Sequence, residues 1–236
     1  MKVLSFLLLS LTLFGRGLEA PDNRSQAKNV VMMIDLDYKK SAINGCAYDY
    51  DKTSCMDKTI VDAHSCGLVE NNLSIKWMQI VPDTFYGRNR ACMNEKKCVN
   101  IFTKALFGSP MCCRRIDTEY KKMEADLFNL IPVVSTLVAA QKGRVFGMVN
   151  TPLETIGSTK IGSDTIEPSG EVKGNVARVY LYMQGRYGLQ LSKRQIALYE
   201  AWNKLDPVDA KECKVGKLIL KIQGAHNSYI EEGCKK

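Results

Sequence analysis

The chain has 236 residues, 45% of them hydrophobic and 25% charged, and a formal net charge of +8. This balance is ordinary for a globular protein and leaves enough apolar material for one domain with a sizeable core. The positive excess suits a polyanion, an acidic protein or an anionic envelope surface by Coulomb attraction, and it equally suits nothing beyond solubility.

Residues 1–20 read as a secretory signal peptide. Lys2 supplies the positive start, Val3 to Phe14 the apolar run, and Leu18-Glu19-Ala20 a small residue ahead of Pro21. A run of about twelve apolar residues is too short to cross ~30 Å of hydrocarbon, which sets a membrane anchor aside. No cysteine lies near the cut, so a lipoprotein is not expected. Removal of the leader takes Lys2, Arg16 and Glu19 with it, leaving residues 21–236 as the mature domain with net charge +7.

All nine cysteines follow the leader, which points to an oxidising compartment and disulfides. Zinc would require a repeated C-x₂₋₄-C rhythm, and the chain lacks it. The odd count leaves at least one thiol over, and Cys55 is one candidate. Cys112 and Cys113 are not expected to bond each other, because adjacent Cα atoms sit about 3.8 Å apart and ordinary disulfides want roughly 4.4–6.8 Å.

In chain order, Ser25 is expected to cap a helix running to about Tyr38, with Val31, Ile34 and Tyr38 on one face. Gly45 to Gly67 holds turn formers and three cysteines. Leu73 to Val81 suits a buried strand that presents alternate side chains to a cleft, with Trp77 in the core. Tyr86-Gly87-Arg88-Asn89-Arg90 reads as a turn, Cys92 to Cys98 encloses Asn94-Glu95-Lys96-Lys97, and Asn100 to Met111 is a mildly apolar segment closed by a Gly-Ser-Pro turn. Asp117 to Ala125 forms a helical run that follows Arg114-Arg115 and contains Lys121-Lys122, and Asp126 is placed to cap the helix that would carry Asn129 toward the cleft. Gly143 to Gly174 predicts short strands joined by turns, or a long loop. Val176, Val179, Tyr180, Met183 and Tyr187 form one apolar stripe on a helix that Gly188 ends. Ser192 with Gln195 makes a capping box for a further helix that stops at Asp206-Pro207.

Lys76-Trp77-Met78-Gln79-Ile80-Val81-Pro82 and Asp126-Leu127-Phe128-Asn129-Leu130-Ile131-Pro132 resemble the paired motifs of the endonuclease I family. These are extracytoplasmic nucleases of the ββα-metal, or His-Me finger, class that cut DNA and RNA with little sequence preference, and their motifs read E-W-E-H-x-V-P and D-L-H-N-L-x-P. Gly174-Asn175-Val176-Ala177-Arg178-Val179-Tyr180-Leu181-Tyr182-Met183 is similar to the family's R-G-x-x-A-R-x-x-L-Y-M. Pro207-Val208-Asp209, Glu212-Cys213 and Ile222-Gln223-Gly224-Ala225-His226-Asn227 continue the pattern. The resemblance spans roughly Gly45 to Cys234, dense after Asn175 and thin between Val99 and Met111. It implies an α+β, mostly helical single domain around a ββα-metal finger, disulfide-stabilised, with Cys213 bonded to Cys234.

The resemblance also implies a histidine base and one Mg²⁺ held by a glutamate and an asparagine. Here the base position is Gln79, the glutamate position is Met78, and the second motif's histidine is Phe128; Asn129 alone is kept. An amide does not titrate near neutral pH, so the ~10²–10⁴-fold contribution of a general base is lost. A thioether is a soft donor that hardly binds a hard oxygen-seeking ion, so the metal's Lewis-acid contribution goes as well. The expectation is therefore an inactive relative with no cofactor, Mg²⁺ entering only if activity survives. Its role would be a scaffold or interaction component of the periplasm, envelope or extracellular space, acting through a protein partner. One alternative is an active metal-dependent nuclease with a relocated site drawn from Asp83, Glu124 and Asp126. Another is a non-cleaving DNA- or RNA-binding protein using Lys76, Lys96, Lys97, Arg114, Arg115 and Arg178. Lys96 and Lys97 fall in the loop where the family carries a phosphate-contacting arginine, and lysine keeps the charge without arginine's fork. The two histidines, His64 and His226, lie outside both motifs.

Overall fold

A computed structural model describes residues 20–35, 43, 47–50, 59–66, 68 and 73–235. Helix α1, Arg24–Asp35, begins where the Asn23 side chain accepts hydrogen bonds from the Ser25 and Gln26 amides, both at 3.0 Å. Asn23 is thus the cap, two residues earlier than Ser25, and it satisfies two of the donors a helix start leaves open. The expected extension to Tyr38 lies outside the described residues.

Strands β1, Ala47–Tyr50, and β2, Thr59–Asp62, pair antiparallel. Strand β3, Ile75–Gln79, is followed by short helices α2, Asp83–Gly87, and α3, Ala91–Asn94. A small hairpin of β4, Cys98–Val99, and β5, Leu106–Phe107, leads into α4, Pro110–Ile116, and α5, Thr118–Ala125. A single 3₁₀ turn, Leu127–Asn129, then feeds β6, Leu130–Val134, and α6, Ser135–Gln141. The glycine-rich stretch, for which the sequence left short strands or a long loop open, folds into β7, Val145–Phe146, β8, Glu154–Ile156, β9, Thr159–Ile161, and β10, Thr165–Glu167. These form one sheet in the order β7-β10-β9-β8, parallel only between β7 and β10. The chain ends in α7, Lys173–Tyr187, α8, Lys193–Leu205, α9, Ala210–Gln223, and α10, Ser228–Gly233.

Helix α7 is the centre of the packing. Val176 through Met183 are all buried, so the helix is covered around its whole circumference and not only along the apolar stripe. Tyr180 stacks on Tyr199 of α8 with ring centroids 4.4 Å apart, and Tyr182 meets Phe128 edge-on at 4.9 Å. Burying side chains of this size stabilises the fold by about 2–3 kcal/mol each. The start of α7 presses directly onto the end of α8: the Gly174 amide donates to Asp206 Oδ2 at 2.8 Å, and a Cβ at Gly174 would lie 1.9 Å from the Asp206 carbonyl oxygen. Glycine is required there by space. Gly188 ends α7 with φ of 66°, a left-handed turn that a side chain would strain. The Ser192–Gln195 capping box forms as the sequence predicts.

Three disulfides join described residues. Cys92 bonds Cys113 and Cys98 bonds Cys112, so the adjacent cysteines reach separate partners on α3 and β4. Cys213 bonds Cys234, tying α9 to the chain end.

Candidate functional site

β3 and β6 form an antiparallel ribbon in which Met78 faces Ile131 and Gln79 faces Leu130, and helix α6 packs on both strands. This ribbon brings the two motifs into contact. Pairing continues one step past the strands, where the Ile80 amide donates to the Asn129 carbonyl at 3.0 Å. The Asn129 side chain then closes a two-point clamp on Val81: its Oδ1 accepts from the Val81 amide at 2.7 Å and its Nδ2 donates to the Val81 carbonyl at 3.1 Å. Asn129 is completely buried. Both ends of its amide bind Val81, which joins the two motifs to each other.

The base position is equally closed. Gln79 is 3% exposed, and its Nε2 donates to the Tyr86 hydroxyl at 3.0 Å, with the Glu124 carbonyl at 3.4 Å. Its backbone carbonyl accepts from Gln141 Nε2 of α6 at 2.7 Å. Burial, reinforced by Tyr120, pushes the Tyr86 hydroxyl well above its ordinary range, so it stays neutral and cannot act as a base. Met78 is 1% exposed and belongs to the core.

The acidic residues offered for a relocated site are already engaged. Asp126 Oδ1 accepts from the Phe128 amide at 3.0 Å and so caps a single 3₁₀ turn where the sequence predicts a helix. Its Oδ2 accepts from both the Tyr182 and Tyr187 hydroxyls at 2.7 Å, and burial first, then this carboxylate, holds both phenols above their ordinary range. Glu124 is buried against Arg114, whose Nη2 lies 2.6 Å from Oε1, and Asp83 reaches the same guanidinium at 3.6 Å. Arg24 Nη1 lies 4.0 Å from the same Glu124 oxygen, so the two carboxylates face two guanidinium groups.

Mg²⁺, which the motif pattern implies, does not fit these donors. It needs several oxygen ligands at close to 2 Å in an octahedron. Met78 offers sulfur, the Asn129 oxygen is committed to an amide, and among the described residues no three His, Cys, Asp or Glu side chains gather in a way that could hold a metal. A cavity of about 540 Å³ takes in Trp77, Ile80, Phe128 and Leu130 beside α7 and α9, but Met78, Gln79 and Asn129 are not part of its wall.

The predicted cations divide. Lys76, Lys96, Lys97 and Arg115 are exposed, Lys97 being paired with Glu95 at 2.8 Å. Arg114 is held by Glu124 and Asp83 as described. Arg178 corrects the surface expectation: it has no exposed area, its guanidinium binds both Glu212 carboxylate oxygens, and it also donates to Asn203 and to the Asp206 carbonyl. Burial raises the Glu212 carboxyl despite Arg178 opposing it. At about 100° per residue Arg178 falls on the face opposite the apolar stripe, so the sequence pattern carried no sign of its burial. His64 is exposed on a 3₁₀ turn, and exposed His226 places Nδ1 3.0 Å from Glu231 Oε1.

A strand ribbon with a helix packed on it, set in a mostly helical and disulfide-pinned α+β domain, is the arrangement that the paired motifs imply. The chain belongs to the endonuclease I family, whose pattern matches residues 19–234. It is 28% identical over 227 residues to an endonuclease-1 of Buchnera aphidicola subsp. Acyrthosiphon pisum, covering 91% of this chain and 83% of that protein. It is 31% identical over 188 residues to an extracellular deoxyribonuclease of Aeromonas hydrophila, covering 75% of this chain and 76% of the relative. A periplasmic deoxyribonuclease of the same organism is also 31% identical over 188 residues, with 75% and 74% covered.

Proposed function

We propose that this chain is an extracytoplasmic endonuclease I relative that does not hydrolyse phosphodiester bonds and acts by binding, as a scaffold or interaction component. The observation that carries the reading is the Asn129 clamp on Val81, which turns the one retained ligand into a structural residue. Three further features support it. Gln79 cannot take a proton from water near neutral pH, Met78 cannot serve a hard cation, and the neighbouring carboxylates are committed to arginine or tyrosine. The similarity to extracellular and periplasmic deoxyribonucleases, together with the disulfides, supports a location outside the cytoplasm.

The partner is a protein; nucleic acid held by Lys76, Lys96, Lys97 and Arg115 is the second reading, motivated by their exposure. The two separate on salt, since release of condensed counterions makes phosphate binding fall steeply with ionic strength. Metal binding tests the reading without recourse to activity. Titrating the oxidised protein into Mn²⁺ should leave the electron paramagnetic resonance signal of the free ion undiminished. Stoichiometric loss of that signal, reversed by excess Mg²⁺, would overturn it.

A further inference from the structure

We propose that the β4–β5 hairpin, with the adjoining helix α4, is a membrane-surface anchor that seats its tip in the headgroup and acyl boundary of an anionic bilayer. This is independent of the chemistry at Gln79 and Asn129, which lie on other elements. Among the described residues, six of the nine large apolar side chains standing open to solvent fall between positions 99 and 116: Val99, Ile101, Phe102, Leu106, Met111 and Ile116. Phe102, at the tip, is 87% exposed. Exposure concentrated in this way marks an interaction surface.

The patch is built to stay outside. Asn100 Oδ1 accepts from the Phe102 and Thr103 amides at 2.9 and 3.0 Å, and the Lys104 amide returns to the Asn100 carbonyl at 2.9 Å. The tip is therefore a closed turn that cannot fold Phe102 inward without losing these bonds. Cys98–Cys112 staples the hairpin to α4, and Cys92–Cys113 staples α4 to α3. With Cys112 and Cys113 wholly buried, Met111 and Arg115 are turned to the open side of α4.

Charge selects the occupant. Residues 95–116 carry five cations, Lys96, Lys97, Lys104, Arg114 and Arg115, against one carboxylate, Glu95. Lys97 is paired with Glu95 and Arg114 with Glu124, while Lys96, Lys104 and Arg115 make no ion pair among the described residues. Aliphatic and aromatic tips rimmed by lysine and arginine fit an interface whose lower layer is hydrocarbon and whose upper layer is anionic. A polynucleotide would accept the cations and one stacked phenylalanine but has no place for Ile101 and Leu106. A second copy would bring the same cations into opposition. A protruding knob also suits a fluid that moulds around it.

The test uses the exported, oxidised protein and sedimentation with vesicles. Binding to phosphatidylcholine mixed with phosphatidylglycerol, and none to phosphatidylcholine alone, is expected. Ile101→Ser/Phe102→Ser should lower the partition coefficient roughly tenfold or more through lost apolar burial. Glutamine at Lys96, Lys104 or Arg115 should cost about fivefold each. Phe102→Trp should gain a blue-shifted emission component on adding the mixed vesicles. All these positions are exposed, so melting temperatures should not move, which keeps a loss of binding separate from a loss of fold. Unchanged vesicle binding in the double serine variant overturns the proposal. So does absence of vesicle binding together with tip-dependent binding of single-stranded DNA, or with tip-dependent dimerisation in the ultracentrifuge.

Discussion

Replacing Asn129 with alanine asks whether this residue is a structural clamp or an idle metal ligand. The substitution removes two hydrogen bonds, at 2.7 and 3.1 Å, and leaves the Val81 amide and carbonyl unpaired in the interior. An unsatisfied buried polar group costs about 1–3 kcal/mol, and the lost packing adds to it, so a total of roughly 3–5 kcal/mol is expected. At about 2–4 °C per kcal/mol for a domain of this size, the midpoint should fall by about 6–20 °C. Urea unfolding followed by far-ultraviolet circular dichroism, with disulfides intact and with Mg²⁺ or EDTA present, measures it. Asn129→Asp sharpens the contrast, because it keeps the acceptor for the Val81 amide but turns a carboxylate oxygen towards the Val81 carbonyl. A clamp predicts that the aspartate variant is destabilised and that Mg²⁺ does not rescue it. An alanine variant within about 1 kcal/mol of the parent, or Mg²⁺ stabilisation of the parent that EDTA removes, would refute the reasoning.

Other consequences follow from the same contacts. Arg178→Met should destabilise by about 3–5 kcal/mol by stranding the Glu212 carboxylate, and adding Glu212→Leu should recover most of that in the same urea assay. Cys213→Ser/Cys234→Ser opens a loop of sequence separation 21 and should cost about 3 kcal/mol. Asp117 sets part of the acid stability. Against burial, which raises its carboxyl, the Tyr120 amide at 2.9 Å and Arg90 at 2.6 Å hold it below the ordinary range. A depressed carboxylate stabilises the fold above its unfolded pKa of about 4 and loses that contribution as pH falls through the lower folded value. Asp117→Asn should therefore be less stable than the parent at neutral pH, with the gap narrowing as pH falls below about 4; a gap independent of pH would contradict the assignment.

Elements whose determinants are local could be read from the chain. The strand at Ile75–Gln79, the capping box at Ser192, the glycine stop at Gly188 and the cap at Asp126 each depend on a few neighbouring residues. The first helix shows the limit of that reasoning, because Asn23 and Ser25 are both good caps and only the folded chain shows which one turns towards the amides. Interactions across long separations were hidden. Arg178 looks like a surface cation until Glu212, 34 positions on, is folded against it. The same applies to Asn129, whose partner Val81 lies 48 positions away, and to the pairing of Cys92 and Cys98 with two adjacent cysteines. The motif substitutions at Met78, Gln79 and Phe128 were plain in the sequence. That their surroundings are sealed, with Gln79 bonded to Tyr86 and Asp126 shared by two tyrosines, needed the structure.

We propose a nuclease scaffold that lacks nuclease chemistry. It is tested most directly by nicking of supercoiled plasmid and degradation of RNA by the oxidised protein, with Mg²⁺, Mn²⁺ or EDTA, beside a Met78→Glu/Gln79→His variant. The account predicts no EDTA-sensitive cleavage by the parent chain, and a gain of metal-dependent cleavage when base and ligand are restored. EDTA-sensitive cleavage by the parent would contradict it and place a working metal site among groups assigned here to structure.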